Sequence, residues 1–434
     1  MKTYLLVIIL GLFLEESYVS AFRFSETPTT AVPVEPNDQV IYILPRSDRQ
    51  AEVLRNITAS SDEIVLWKPD SPEHIVKNKE VHLYVNASLL EEVKATLKDS
   101  AISYTVLVEN AQHLIDQQTY NDTTGQRSSV SFYEQYHALE DIYFWMEQMT
   151  EKHPDMLERI KIGESFEKRP LYVLKLSGKW KTAKNAIWID CGIHAREWIA
   201  PAFCLWFVGH AVGFYGQDEY MTNLLKYTDF YVLPVMNVDG YRYTWTTNRM
   251  WRKNRSKHPN SNCYGTDLNR NFDAGWCGSG ASNNPCHETY CGQFPESEPE
   301  VAAVADFIRK QKDIIKGYIT MHSYSQMVLF PYSYTREKSK DHDELLQLAK
   351  KVTDGIRSTS RNKYTSGPGA DTIYLAPGGS DDWAYDLGIK YSFTLELRDK
   401  GTYGFLLPPT LIKPTCSEAL TGIKIISAHI VKNM

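Results

Sequence analysis

Short apolar runs and amphipathic stripes alternate between residues 39 and 108. Residues 39–46 (QVIYILPR), 63–68 (EIVLWK), 80–86 (EVHLYVN) and 101–108 (AISYTVLV) read as strands. Residues 48–59 carry a helical pattern, and residues 87–99 place Leu89, Leu90, Val93 and Leu97 at helical spacing. The order β-α-β-β-α-β predicts a small α+β ferredoxin-like unit. It holds no cysteine and no cluster of ligand-type side chains, so its expected role is packing, not catalysis.

The pattern changes after residue 131. Runs that suit buried strands (172–177, 186–191, 230–235, 315–322 and 391–398) alternate with amphipathic helices. They predict an α/β domain with a mixed, largely parallel central sheet and helices on both faces. In such sheets, sites gather at strand ends. Between the two units lies a polar bridge, roughly 111–131, ending TYNDTTGQRSSVS. Arg127 is the single Lys or Arg between Lys98 and Lys152. A basic residue in such a stretch offers a trypsin-type protease the bond to Ser128.

The 434 residues are enough for these two units. A net charge of -6 gives no reason to expect a nucleic-acid partner. The first residues, MKTYLLVIILGLFLEESYVSAF, read as a leader. Lys2 precedes an apolar run from Tyr4 to Leu14, and Val19, Ser20 and Ala21 form a small-residue cleavage site before Phe22. That run is too short to span a bilayer, and no later stretch reaches the ~18 apolar residues of a membrane span. Secretion follows as an expectation. Sequons at Asn56, Asn86, Asn121 and Asn254 are then candidate glycosylation sites. Seven cysteines all lie beyond residue 190, four of them between 263 and 291. An oxidising compartment would staple that loop, with at least one thiol left over; spacing alone assigns no partners.

The chemistry concentrates at strand ends. In AIWIDCGIHAREW (186–198), His194 and Glu197 follow a buried strand at a turn into a helix. Three residues apart on a helical turn, they project to one side. Together they offer Zn2+ an imidazole nitrogen and a carboxylate oxygen. A catalytic zinc keeps three protein ligands and one open position. His322, at the end of IKGYITMH, supplies a third ligand if the fold brings it close.

These segments closely resemble the metallocarboxypeptidase A/B family, from about residue 132 to the C-terminus. The N-terminal unit fits that family's activation peptide. The resemblance implies one Zn2+ per chain, held by His194, Glu197 and His322. It implies Glu396 (FTLELRD) as general base and Arg252 (MWRKNR) as transition-state cation. Asn269 and Arg270 (GTDLNRNF) would bind the substrate carboxylate, and Tyr374 (TIYLAPGG) would cap it. Arg196, Ser323, Tyr324 and Phe405 fall at substrate-contact positions. Asp381 (GGSDDW) occupies the base of the terminal side-chain pocket, where an acid selects Lys or Arg. Ser333 also fits the basic-specific subtype, and Asp382 is expected to support the loop. The family pattern pairs Cys191 with Cys204, Cys263 with Cys286 and Cys277 with Cys291, leaving Cys416 free.

The predicted organisation is a leader (1–21), an activation peptide (22–127) and a catalytic domain (128–434). Among basic-specific members, EIVLWKP (63–69), HPDMLERIKIG (153–163) and PYSYTREKSKDH (331–342) most resemble the plasma branch. That implies peptide substrates ending in Lys or Arg: fibrin fragments and kinin- or anaphylatoxin-like peptides. It also implies activation by a trypsin-like protease such as thrombin, plasmin or trypsin. Gln126 before Arg127, and Lys400 where the family usually has Thr, depart from the pattern. The digestive basic-specific enzyme is the alternative within the family. An inactive binding protein of the same fold is the alternative outside it, although every catalytic position is filled.

Overall fold

The computed structural model describes residues 37–119, 132–181 and 183–434. The leader, the Arg127–Ser128 bond and the Asn121 sequon lie outside the described residues.

Strands β1 (Gln39–Ile43), β2 (Ile64–Lys68), β3 (Val81–Val85) and β4 (Tyr104–Val108) form an antiparallel sheet in the order β2-β3-β1-β4. Two helices pack on it. Helix Asp48–Ser60 starts at Ser47, whose Oγ accepts the Gln50 N–H (3.2 Å), and it buries Ala51, Leu54 and Ile57. Helix Leu90–Asp99 buries Leu90, Val93 and Leu97, while Leu89 ends the 3-10 turn before it. The last strand begins later than its hydrophobicity suggests. Ala101 takes a left-handed φ of 51°, and the Ile102 N–H closes on the Leu97 carbonyl (2.8 Å). Residues 100–102 therefore terminate the helix in a Schellman motif.

Eight further strands build the second sheet: β5 (Leu157–Glu164), β6 (Pro170–Leu176), β7 (Asn185–Cys191), β8 (Thr228–Leu233), β9 (Ile315–His322), β10 (Met327–Phe330), β11 (Thr365–Pro368) and β12 (Tyr391–Glu396). Their order is β11-β10-β12-β9-β7-β8-β6-β5. The four central strands β12, β9, β7 and β8 are mutually parallel. Antiparallel pairings join β10 to β12, β6 to β8 and β5 to β6. Strands β5, β10 and β11 escape the sequence pattern for a physical reason. β5 alternates exposed and half-buried residues, and the edge strand β11 (TSGP) ends in Gly-Pro.

Alternation along the central strands sorts the side chains. Ile187, Ile189 and Cys191 of β7 join Ile319, Met321, Phe393 and Leu395 in the larger core, with helices Ile199–Gly213, His342–Ser360 and Ile412–Lys432. Trp188 and Tyr318 join the other face, covered by helices Pro299–Gln311 and Ser380–Asp386. On that second face the register sets Ser392 beside Tyr318, Thr394 beside Thr320 and Glu396 beside His322. The strand-end polar residues therefore emerge together.

The structure joins Cys191 to Cys204, Cys263 to Cys286 and Cys277 to Cys291, and Cys416 is free and buried. One sequon reads differently in three dimensions. Asn56 is exposed and Asn86 half-buried. Asn254, in contrast, is fully buried. Its Nδ2 donates to Glu298 (2.8 Å) and Glu300 (3.1 Å), and its Oδ1 accepts the Thr266 N–H (2.7 Å). The expectation of a glycan there is corrected: the side chain is an internal cross-link with no free amide hydrogen.

Two outcomes follow. In a glycosylating host, glycosidase-coupled peptide mapping should find Asn254 unmodified. Asn254→Ala should lower unfolding free energy by about 3 kcal/mol or more, because it orphans several buried partners, and denaturant titration would measure this.

Candidate active site

β7 ends at Cys191, and the chain turns sharply at Gly192 (φ 66°). A Cβ there would lie 3.0 Å from Pro201, in a conformation that L-residues rarely adopt. The turn delivers His194 and Glu197 before the helix at Ile199 begins. The pair thus sits on a tight turn, closed by Glu197 N–H to the His194 carbonyl (3.3 Å), and not on the helix itself. β9 delivers His322 from the neighbouring strand end.

His194, Glu197 and His322 each bring one ligand atom within 4.8 Å of the others, and all three are buried. His194 Nδ1 lies 2.7 Å from Glu197 Oε1, and His322 Nδ1 lies 3.2 Å from Glu197 Oε2. Two imidazole nitrogens thus converge on one carboxylate, a donor set that fits Zn2+. Asp267, which the sequence reading missed, stands behind this set. Its Oδ1 lies 3.1 Å from His194 Nε2, so it orients the ring. Its Oδ2 accepts from Arg252 Nε (3.1 Å) and Nη2 (2.9 Å). Asp267 lies two residues before Asn269 in TDLNRN, so motif adjacency was the available signal.

Glu396 lies beside His322 in the β12–β9 register. Its Oε2 is buried with no hydrogen-bond partner. Burial pushes its carboxyl up to about 8, against the pull of His322 and with the push of Glu197. Arg252, Asn269, Arg270, Ser323, Tyr324, Tyr374, Asp381 and Phe405 line the same cavity. Asn269 Oδ1 accepts the Ser380 N–H (3.0 Å), which leaves its Nδ2 as the donor of that side chain. Arg196 stacks over Phe405, its Cζ 4.4 Å from the ring centre.

The two neighbouring acids separate. Asp381 lines the cavity and its Oδ2 is buried without a partner. Burial pushes its carboxyl above the ordinary range. Asp382 lies behind the cavity, its Oδ2 accepting the N–H groups of Ser333 (2.7 Å) and Tyr334 (2.9 Å).

Residues 66–70 of the N-terminal unit occupy the cleft. The Leu66 carbonyl accepts from Arg196 Nη2 (3.4 Å). Trp67 packs edge-on to Phe405 (5.2 Å) and Tyr324 (6.3 Å). Asp70 forms a buried ion pair with Arg270. Burial opposes that charge, but the Arg270 guanidinium, His74 and Arg252 together outweigh it and hold the Asp70 carboxyl below its ordinary value. His74 stacks on Tyr374 (4.6 Å), and His82 Nδ1 lies 2.8 Å from the Tyr324 hydroxyl.

Comparisons with known proteins identify the family. Residues 142–422 match the family model described as zinc carboxypeptidase, and residues 41–118 match that of the carboxypeptidase activation peptide. The chain is 57% identical to carboxypeptidase B2 of Rattus norvegicus over 435 residues, covering 100% of both. It is 60% identical to carboxypeptidase B2 of Homo sapiens, over 91% of this chain and 94% of the relative. A crystal structure of thrombin activatable fibrinolysis inhibitor superimposes with TM-score 0.89 at 60% identity, over 92% of this chain and 100% of that one. The chain belongs to the zinc carboxypeptidase family.

Proposed function

We propose that the chain is the secreted zymogen of a metallocarboxypeptidase that removes C-terminal Arg or Lys. In this reading residues 1–21 are a leader, 22–127 an activation peptide and 128–434 the catalytic domain. One observation carries the specificity: an unpartnered, buried carboxylate oxygen on Asp381 faces the cavity that also holds Arg270. A bare buried anion is costly, and a guanidinium or ammonium side chain relieves that cost. An apolar side chain does not.

Each residue then has a task. Arg270 grips the terminal carboxylate by parallel N–H bonds, with Asn269 Nδ2 as a further donor. Only a chain end supplies a free carboxylate there, so the enzyme acts as an exopeptidase. One Zn2+ on His194, Glu197 and His322 would lower the pKa of its water from ~15.7 towards ~7. Glu396 accepts a proton at its free oxygen and passes it to the leaving amine nitrogen. Arg252, held by Asp267, places a fixed positive charge where the scissile carbonyl oxygen becomes anionic. Tyr374 covers the bound end. Arg196, Ser323, Tyr324 and Phe405 contact residues upstream of the scissile bond.

The N-terminal unit inhibits by occupying these same contacts. Asp70 takes the place of a terminal carboxylate on Arg270, and the Leu66 carbonyl takes the place of an upstream peptide carbonyl on Arg196. Asp70's folded pKa is lowered, so its contribution is full above the ordinary value of 3.8. It is lost only as pH falls through the lower folded value, so the latch is at full strength at neutral pH. Cleavage after Arg127 by a trypsin-like protease (thrombin, plasmin or trypsin) would free the cleft. The reading includes a plasma setting, with fibrin C-terminal lysines and kinin- or anaphylatoxin-like peptides as substrates; the name of one similar structure, thrombin activatable fibrinolysis inhibitor, supports a link to fibrinolysis. Trimming fibrin lysines would slow fibrinolysis.

Five measurements check this reading. After trypsin, substrates ending in Arg or Lys should be hydrolysed far faster than those ending in Phe. A zinc chelator should abolish the activity and added Zn2+ restore it. Asp381→Leu should reduce the Arg-to-Phe ratio of kcat/KM by at least about a hundredfold, the scale of a broken buried ion pair; an unchanged ratio would remove Asp381 from the pocket. Arg127→Gln should block activation by trypsin, and full activity after trypsin would place processing elsewhere. Asp70→Ala should raise hydrolysis of a small substrate by the uncleaved chain on the order of tenfold, with activity after trypsin unaltered.

A further inference from the structure

Asp381 and Asp382 are adjacent in the first turn of helix Ser380–Asp386, and both are buried. Consecutive helical residues point roughly 100° apart, so the two carboxylates serve different neighbours. An acid in the first turn ordinarily serves its own helix's N–H groups. Asp382 instead reaches another segment. Its Oδ2 accepts the consecutive N–H groups of Ser333 (2.7 Å) and Tyr334 (2.9 Å).

Ser333 lines the same cavity as Asp381, and follows β10, whose Leu329 lines it too. The Ser333 segment is held on two further sides. Its carbonyl accepts the Ala376 N–H (2.9 Å), from the loop that carries Tyr374, and the Tyr332 carbonyl accepts the Ala370 N–H (3.0 Å). Gly369 packs so closely that a Cβ there would fall 1.9 Å from Ser333 Oγ. Nothing in this packing leaves slack, yet the two N–H groups depend on one carboxylate oxygen. The other oxygen of Asp382 is buried without a partner. Burial and the adjacent Asp381 charge both push the Asp382 carboxyl well above its ordinary value. A group in so unfavourable a place stays only because its contacts require an acceptor.

We propose that Asp382 is a positioning residue of the terminal side-chain pocket. By holding the Ser333–Tyr334 backbone against the helix that carries Asp381, it fixes the width of the pocket and the reach from Asp381 to a bound guanidinium or ammonium. The proposal rests on the reading of Asp381 as the selector. It adds that selection needs a second carboxylate that never touches the substrate.

The test uses the full chain after trypsin, with substrates ending in Arg, Lys and Phe, and a thermal melt of every variant. Asp382→Ala should raise KM for Arg and Lys ends on the order of tenfold, the scale of one or two buried hydrogen bonds, while kcat falls less than about threefold. Asp382→Asn keeps an acceptor oxygen, so it should recover most of that loss and leave a KM rise of about two- to threefold. If Asp382→Ala does not fold, the Asn variant decides alone, and an unchanged KM for Arg ends would overturn the proposal. So would a parallel fall of kcat on all three substrates in either variant, which marks general loosening. Asp381→Ala separates the two readings. If it keeps the Arg preference, the selector assignment fails. If it loses that preference while Asp382→Ala binds Arg ends normally, only the positioning role fails.

Discussion

The structure is organised by the need to give buried positive charge an electron-rich partner. Four arginines, Arg196, Arg249, Arg252 and Arg270, are buried around one cleft. Arg252 has a carboxylate from its own domain, Asp267. The other three take acceptors from the N-terminal unit: Leu66 carbonyl for Arg196, Asp70 for Arg270, and Gln118 Oε1 for Arg249 Nε (3.1 Å). Arg249 has no carboxylate partner among the described residues. It also leans on the Phe405 carbonyl and the Trp198 ring (3.8 Å), and burial pulls it down to about 9. In the proposed reading, a cleft that grips carboxylates and carbonyls of a substrate binds the carboxylate and carbonyl its own chain supplies. Inhibition and substrate recognition are one electrostatic requirement met by two occupants.

The sheet makes that cleft possible. Parallel strands β7 and β9 end at the same level, so Cys191 pairs with Met321 and the turn after it meets His322. Period-two alternation then separates jobs by face. Residues such as Ile319, Met321, Phe393 and Leu395 fill the larger core, while His322 and Glu396 point to the other side. A one-residue slip of β12 would send Glu396 into the apolar core and bring Leu395 to the metal ligands. The apolar residues between the polar ones therefore fix the catalytic geometry as firmly as the ligands do.

Strand-end chemistry was readable from the sequence because its residue types are chemically committed. His194, Glu197 and His322 are residue types that suit a metal, and Asn269-Arg270 a pair that suits an anion. Residues that act through others carry no such mark. Asp267 is one acid among many until it is seen behind His194, and Asp70 is a loop residue until it meets Arg270. The Asn254 sequon is a further case, since its three-residue pattern is blind to burial. Secondary structure failed where local pattern and tertiary role diverge. The run 101–108 is mostly apolar or β-branched, yet its start closes a helix. β11 is a strand only because β10 lies beside it.

Departure of the N-terminal unit changes both the apolar surface and the charge balance of the cleft. Trp67, Val40 and Val108 form one apolar cluster with Met250, Tyr324, Phe405 and Leu406, so their departure exposes that surface to water. Arg270 loses the Asp70 carboxylate, and Arg249 loses the Gln118 acceptor. Hydrophobic and electrostatic terms then act in the same direction: the freed catalytic domain is less stable than the zymogen. A ligand that binds the folded cleft and not the unfolded chain restores stability in proportion to its affinity. In the proposed reading, a peptide ending in Arg supplies a carboxylate to Arg270 and a cation to Asp381, two charges the empty cleft leaves bare. Resistance to heat in the active enzyme is thus coupled to occupancy of the cleft, through the contacts that Asp70 and Leu66 make before cleavage.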